Sequence, residues 1–208
     1  MEQQSRHYTL PQIVAHTLCG LFHPIFMAVV MSYLIMYGYA LPVLTTPELT
    51  RFVMGNVALV TIGVPLVFRV LIRLFGVEKA GSRRVSILSV GMFFLSLVCC
   101  GAIFAHAPML FMLRKMFYAA ALVCVVVLLF ETFYPLCHQT GALSAVLGIM
   151  WVLLYVGGAQ LLYYFIFGIV ALGGVASARL YLSERSAGHT LWAIPIGAIG
   201  AALCFILL

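Results

Sequence analysis

Apolar stretches follow one another along the chain with only short polar breaks between them, and their lengths set the reading. A helix that crosses a membrane needs about 20 apolar residues, because the hydrocarbon core is ~30 Å thick and each residue rises ~1.5 Å. The charge-free stretch 8–47 exceeds one crossing. It divides into an interfacial lead-in up to residue 19 and a first span over 20–41, with Pro24 near the first turn, where a missing N–H costs little. The alternative is one tilted helix over 13–36, kinked at Pro24. Further spans follow at 52–74, 85–105 and 109–133. The long stretch 143–182 divides at Gly157-Gly158-Ala159-Gln160 into a short span over 143–156 and a full one over 161–182; the short one either begins nearer Thr140 or lies shallow. The last covers 191–208.

The pattern thus predicts an all-α, polytopic bundle of six or seven spanning helices in a single domain, 1–208, with 1–19 as the lead-in and 20–208 as the spanning part. Counting crossings puts the loops at 76–84, 134–140 and 183–190 on one face. The connections at 42–51, 106–108 and 157–160 fall on the other. With seven spans the N-terminus joins the first set.

Composition narrows the class further. The chain of 208 residues is 65% hydrophobic and 8% charged, and its mean hydropathy is +1.18. A soluble domain carries roughly 25% charged residues, so lipid has to solvate most of this exterior. Residues Met1 to Pro11 lack the basic segment and cleavage site of a signal peptide, so insertion is expected to rest on the retained helices. The net charge of +6 does not mark a nucleic-acid partner, because the basic residues stand at the ends of apolar stretches rather than on a polar face. The six cysteines are scattered without paired metal spacing. No metal or cofactor is implied, and protein partners are left open.

Charge gathers on one face. Lys79, Arg83, Arg84, His138, Arg185 and His189, with Arg179 just below, meet there. Guanidinium forks match phosphate oxygens, and a histidine can attack phosphorus or protonate a leaving oxygen. A single arginine at a helix end is more simply a headgroup anchor; the constellation is what points to phosphate.

Within it, Tyr134-Pro135-Leu136-Cys137-His138 resembles the Pro-Ser-Gly-His motif of the type 2 phosphatidic acid phosphatases, membrane enzymes that hydrolyse lipid phosphates. Ala176-Ser177-Ala178-Arg179 resembles the start of that family's Ser-Arg, five residues, His, three residues, Asp motif, with His189 as its histidine. Phe22-His23-Pro24-Ile25-Phe26-Met27 is similar to the opening of some small bacterial members. The resemblance covers roughly 76–200. It departs in four places: of the family's first motif (Lys, six residues, Arg-Pro) only Arg83-Arg84 stands near its place, with no proline after it and Lys79 not seven residues before either; Leu136-Cys137 replaces Ser-Gly; nine residues separate Arg179 from His189; and Ala193 replaces the aspartate. The sixth position after Arg179 is Arg185.

The resemblance implies a phosphohistidine mechanism on a membrane lipid phosphate or diphosphate. His189 would be the nucleophile and His138 the general acid. Arg179, Arg84, Arg83 and Lys79 would hold the phosphoryl oxygens, and Glu131 or Glu184 would orient His189 in place of the aspartate. His23 joins the site if it stands at the same mouth. The competing reading is a catalytically degenerate relative that binds anionic lipid or serves a membrane assembly. A transporter ranks below both, because intramembrane charges are few and no half-repeat is visible. The resemblance also implies a bacterial inner membrane with the motif face periplasmic, against the positive-inside bias of Arg6, Arg69, Arg73, Lys79, Arg83, Arg84, Arg179 and Arg185 over Arg51, Arg114 and Lys115.

Other residues have plainer readings. His16 and His23, seven apart, suit a packed or interfacial pair. His106 suits a solvated turn. Gly173-Gly174 and Gly197 with Gly200 suit close helix packing.

Overall fold

Pro24 sets the geometry of the N-terminal region. The residue before a proline is pushed out of the α conformation, and the computed structural model, which describes residues 9–38, 46–74, 82–134, 136–156, 159–182 and 187–208, breaks its first helix there. Helix α1 (Leu10–Leu21) and α2 (Pro24–Gly38) meet at a bend of 56°. The expected boundary at residue 20 is thus absent: the apolar stretch forms a pair of helices broken at Pro24, and only the two together are long enough to cross. Helix α1 starts where the Thr9 N–H donates to Gln12 Oε1 at 3.0 Å.

Seven further helices follow: α3 (Pro47–Ala58), α4 (Val64–Leu74), α5 (Ser82–Ile103), α6 (Phe111–Phe133), α7 (His138–Tyr155), α8 (Leu162–Tyr181) and α9 (Ala187–Leu207). A π-helical turn, Leu59–Gly63, joins α3 to α4. Five described segments are long and apolar enough to cross a membrane, and the bent pair α1–α2 makes a sixth; the apolar part of α5 is a shorter stretch, Ile87–Ile103. Lipid-facing positions carry large apolar side chains, among them Leu59, Leu129, Tyr163 and Val170. Aromatic residues cluster toward the helix ends, with Phe133, Tyr181 and Trp192 toward one face and Tyr155 and Tyr163 toward the other, as at a membrane–water boundary. The chain is a polytopic helical membrane protein.

Two expected boundaries move for physical reasons. Helix α3 starts five residues before the expected 52, because Thr46 caps it: the Leu49 N–H donates to Thr46 Oγ1 at 3.3 Å, and Pro47 takes the first helical position. Helix α7 starts at His138, not at 143. Its first turn is polar, yet Gln139, Thr140 and Ser144 are buried inside the protein. Each finds a partner there: Thr140 Oγ1 donates to the Cys137 carbonyl at 3.1 Å, and Ser144 Oγ to those of Gly141 at 2.9 Å and Ala193 at 3.3 Å. Apolar length alone could not find a span whose entry is polar but satisfied.

The tightest packing lies between α7 and α9. A Cβ on Gly148 would stand 2.1 Å from the Ala198 carbonyl oxygen, and one on Gly197 would stand 2.3 Å from that of Gly141. Ala193 and Ala201 continue this small-residue stripe at four-residue spacing and are buried. Without a hydrophobic driving force between helices in lipid, such close approach is what associates them. Of the glycines singled out by sequence, Gly197 sits in this seam; a Cβ on Gly174 would stand 3.2 Å from the Leu18 side chain of α1, whereas one on Gly173 would meet nothing within 4 Å.

The π turn is tied to Pro65. In a π turn the Val60 carbonyl would receive the N–H of residue 65, which proline lacks. Ser96 Oγ of α5 donates to that carbonyl instead, at 3.2 Å. Helix α5 is thereby fastened to the α3–α4 segment, and Pro65 itself faces inward to a cavity.

Candidate functional site: a polar-headed cavity with an apolar recess

The cavity measures about 250 Å³ and lies toward one end of the bundle, lined by residues of α2 and of α4 to α9. The turn before α2 brings His23, α7 brings His138 and Gln139, and α8 brings Arg179 from its last turn. Ser89 of α5 and Pro65 complete the rim, and Val123, Cys124, Val127 and Ile196 form apolar walls.

His23 owes its place to the break between α1 and α2. Its Nδ1 accepts the Ile25 N–H at 3.4 Å, which caps α2. His138 is the first residue of α7, held there because the Cys137 carbonyl takes the Gly141 N–H at 3.0 Å. Arg179 donates its Nε–H to Gln139 Oε1 in a short bond. That bond fixes the guanidinium plane against α7 and directs the terminal nitrogens to other partners. With Arg179 and two histidines and no carboxylate among the described lining residues, the chamber favours an anion.

His189 is placed differently. It lies beside the 134–138 segment, since the Cys137 N–H donates to its carbonyl at 3.3 Å. Its ring stands edge-on to Tyr134, centroids 4.4 Å apart. It is not among the residues lining the cavity. Its Nδ1 is buried with no hydrogen-bond partner, as is the hydroxyl of Thr190 next to it. A nucleophilic histidine normally gives its second ring N–H to an orienting acceptor, and this ring has none among the described residues.

Three of the residues expected at the site, His138, Arg179 and His23, therefore share one chamber, and His189 adjoins it from the second layer. Arg83 and Arg84 lie in the first turn of α5 and Glu131 near the end of α6, with their side chains outside the described structure. Lys79, Glu184 and Arg185 lie outside the described residues altogether. Gln139 and Ser89 are members that the sequence reading had not assigned. Gln139 follows His138 directly, but an amide that serves an arginine carries no spacing signature. His16 is exposed on α1, away from this chamber, and His106 is exposed at the opposite end of the bundle.

Below the rim lies a second, smaller cavity of about 70 Å³ with an entirely apolar lining. It shares Pro24, Phe93, Val123, Cys124 and Ala142 with the first, so an apolar recess abuts the polar chamber. No group of three or more metal-ligating side chains occurs among the described residues. Comparison of the chain with protein-family models, with curated proteins and with solved structures finds no match.

Proposed function

We propose that this membrane protein takes the phosphate or diphosphate head of a lipid into the cavity and hydrolyses it, in the manner of the type 2 phosphatidic acid phosphatases that the sequence resembles. The observation that carries the reading is the convergence of His23, His138 and Arg179 on a polar chamber that abuts an apolar recess. That is the chemistry of an anionic head joined to a hydrocarbon. Arg179, oriented by Gln139, holds the phosphoryl oxygens as charge develops. His138 gives its proton to the departing oxygen. His189 attacks phosphorus, forming a phosphohistidine while the P–O bond to the lipid breaks, and water then releases inorganic phosphate from the ring nitrogen. The reaction is placed at the periplasmic face of a bacterial inner membrane, where an arginine held in a phosphate site does not count as a topology signal.

A second reading, binding without turnover, draws on the position of His189 outside the cavity wall and on its unpartnered Nδ1. In an analogous triad, loss of the orienting carboxylate costs ~10⁴ in rate. One experiment separates the two: phosphate release by the purified protein from phosphatidic acid, prenyl phosphates and phosphorylated glycolipids, beside the His189→Ala variant. Release by the wild type that disappears in the variant supports the enzyme. Salt-sensitive binding with no release, equal in both proteins, replaces it with the binding protein.

A further inference from the structure

We infer that the lipid taken by this cavity carries one hydrocarbon chain bonded directly to its phosphate, and that the chain lies in the apolar recess between α2, α5, α6 and α7. The inference rests on the phosphate reading of the polar end and adds the class of lipid that fits it.

Three observations carry it. The recess abuts the polar chamber, since five residues line both. It is small, about 70 Å³ against about 250 Å³ for the chamber, which suits a single chain rather than a pair. Its lining includes Met27, Met31 and Met116 with Ala120 and Ala145, and methionine is the side chain that best follows the contour of a flexible hydrocarbon.

The junction between the two spaces decides the linkage. Pro24, Phe93, Val123, Cys124 and Ala142 form it, and none offers a strong hydrogen-bond donor. A glycerol ester placed between phosphate and chain would bring its carbonyl to this collar, where it would be desolvated without a partner. Ser89 is no substitute, because it stands one turn of α5 closer to the mouth than Phe93. An alkyl or prenyl phosphate has only methylene groups to pass through the collar. Its charged oxygens stay with Arg179, His23 and His138.

The test uses the full chain in detergent and three probes: butyl phosphate, dodecyl phosphate and monododecanoyl glycerol phosphate, with binding read by native mass spectrometry. The wild type is expected to bind dodecyl phosphate at least tenfold more tightly than the glycerol ester. Ala120→Leu on α6 and Ala145→Leu on α7 each fill the recess from a different wall. Each is expected to weaken dodecyl phosphate tenfold or more while leaving butyl phosphate within twofold. Equal binding of the ester and the alkyl phosphate by the wild type overturns the linkage, and this comparison needs no variant. Undiminished dodecyl phosphate binding in both variants overturns the placement of the chain. If the wild type binds neither butyl nor dodecyl phosphate, the phosphate reading itself falls.

Discussion

Arg179 commits one of its N–H groups to Gln139, and this single bond distinguishes it from an interfacial anchor. An arginine that only reaches headgroups gains nothing from a fixed plane; one that grips a phosphate gains geometric selectivity. Arg179→Lys keeps the charge and removes the fork. Affinity for an alkyl phosphate should fall about tenfold or more, the worth of a charge-assisted hydrogen bond being ~1.5–3 kcal/mol; isothermal titration against dodecyl phosphate measures it. His138→Ala should slow hydrolysis most for a basic leaving alkoxide and spare a nitrophenyl phosphate, because a general acid matters least where the leaving group departs unaided. Comparing kcat for the two substrates checks this. At this scale the sequence named three of the residues that line the chamber, His23, His138 and Arg179. His138 and Arg179 stand in recognisable motif fragments. His23 was a conditional member until the turn at Pro24 placed it on the chamber, and Gln139 is visible only once α7 and α8 are side by side.

The element that bears most of the architecture is the α7–α9 pair. Its two backbones approach so closely that a methyl group on Gly148 would overlap the carbonyl of Ala198. Backbone cannot yield as a side-chain tip can, so Gly148→Ala should cost about 1–3 kcal/mol, the usual penalty of overpacking. Gly173→Ala, on α8 with nothing within 4 Å, should stay within about 0.5 kcal/mol. Thermal unfolding of the two variants in one detergent sets them side by side. From sequence, Gly173-Gly174 and Gly197 were equally good candidates for close packing, because glycine marks where helices can approach and not which helix arrives. The helix ends were similarly underdetermined. A polar first turn in α7 reads as loop until Gln139, Thr140 and Ser144 are seen to be buried and bonded.

For the whole molecule, apolar length was a sufficient guide to the bundle, since lipid leaves a chain of this composition few other ways to satisfy its backbone. The same logic yields a topological test. On a cysteine-depleted background, Thr46→Cys and His106→Cys should react with an impermeant maleimide from one side of the membrane. Tyr134→Cys and Ala187→Cys should react from the other; all four positions are exposed. Labelling of 134 and 187 from opposite sides would separate the two halves of the proposed site. The glycine seam also has a mechanical consequence. Helices locked backbone to backbone move as one body, so α7 and α9 form the stator of the cavity. Traffic between cavity and bilayer then falls to the opposite wall, where α2 begins at a proline-made elbow and the α3–α4 segment carries a widened turn. In hydrogen–deuterium exchange the amides of 140–150 and 193–203 should be the slowest of the cavity walls. Those of 24–28 and 59–66 should exchange first, marking the wall that opens most readily toward the bilayer.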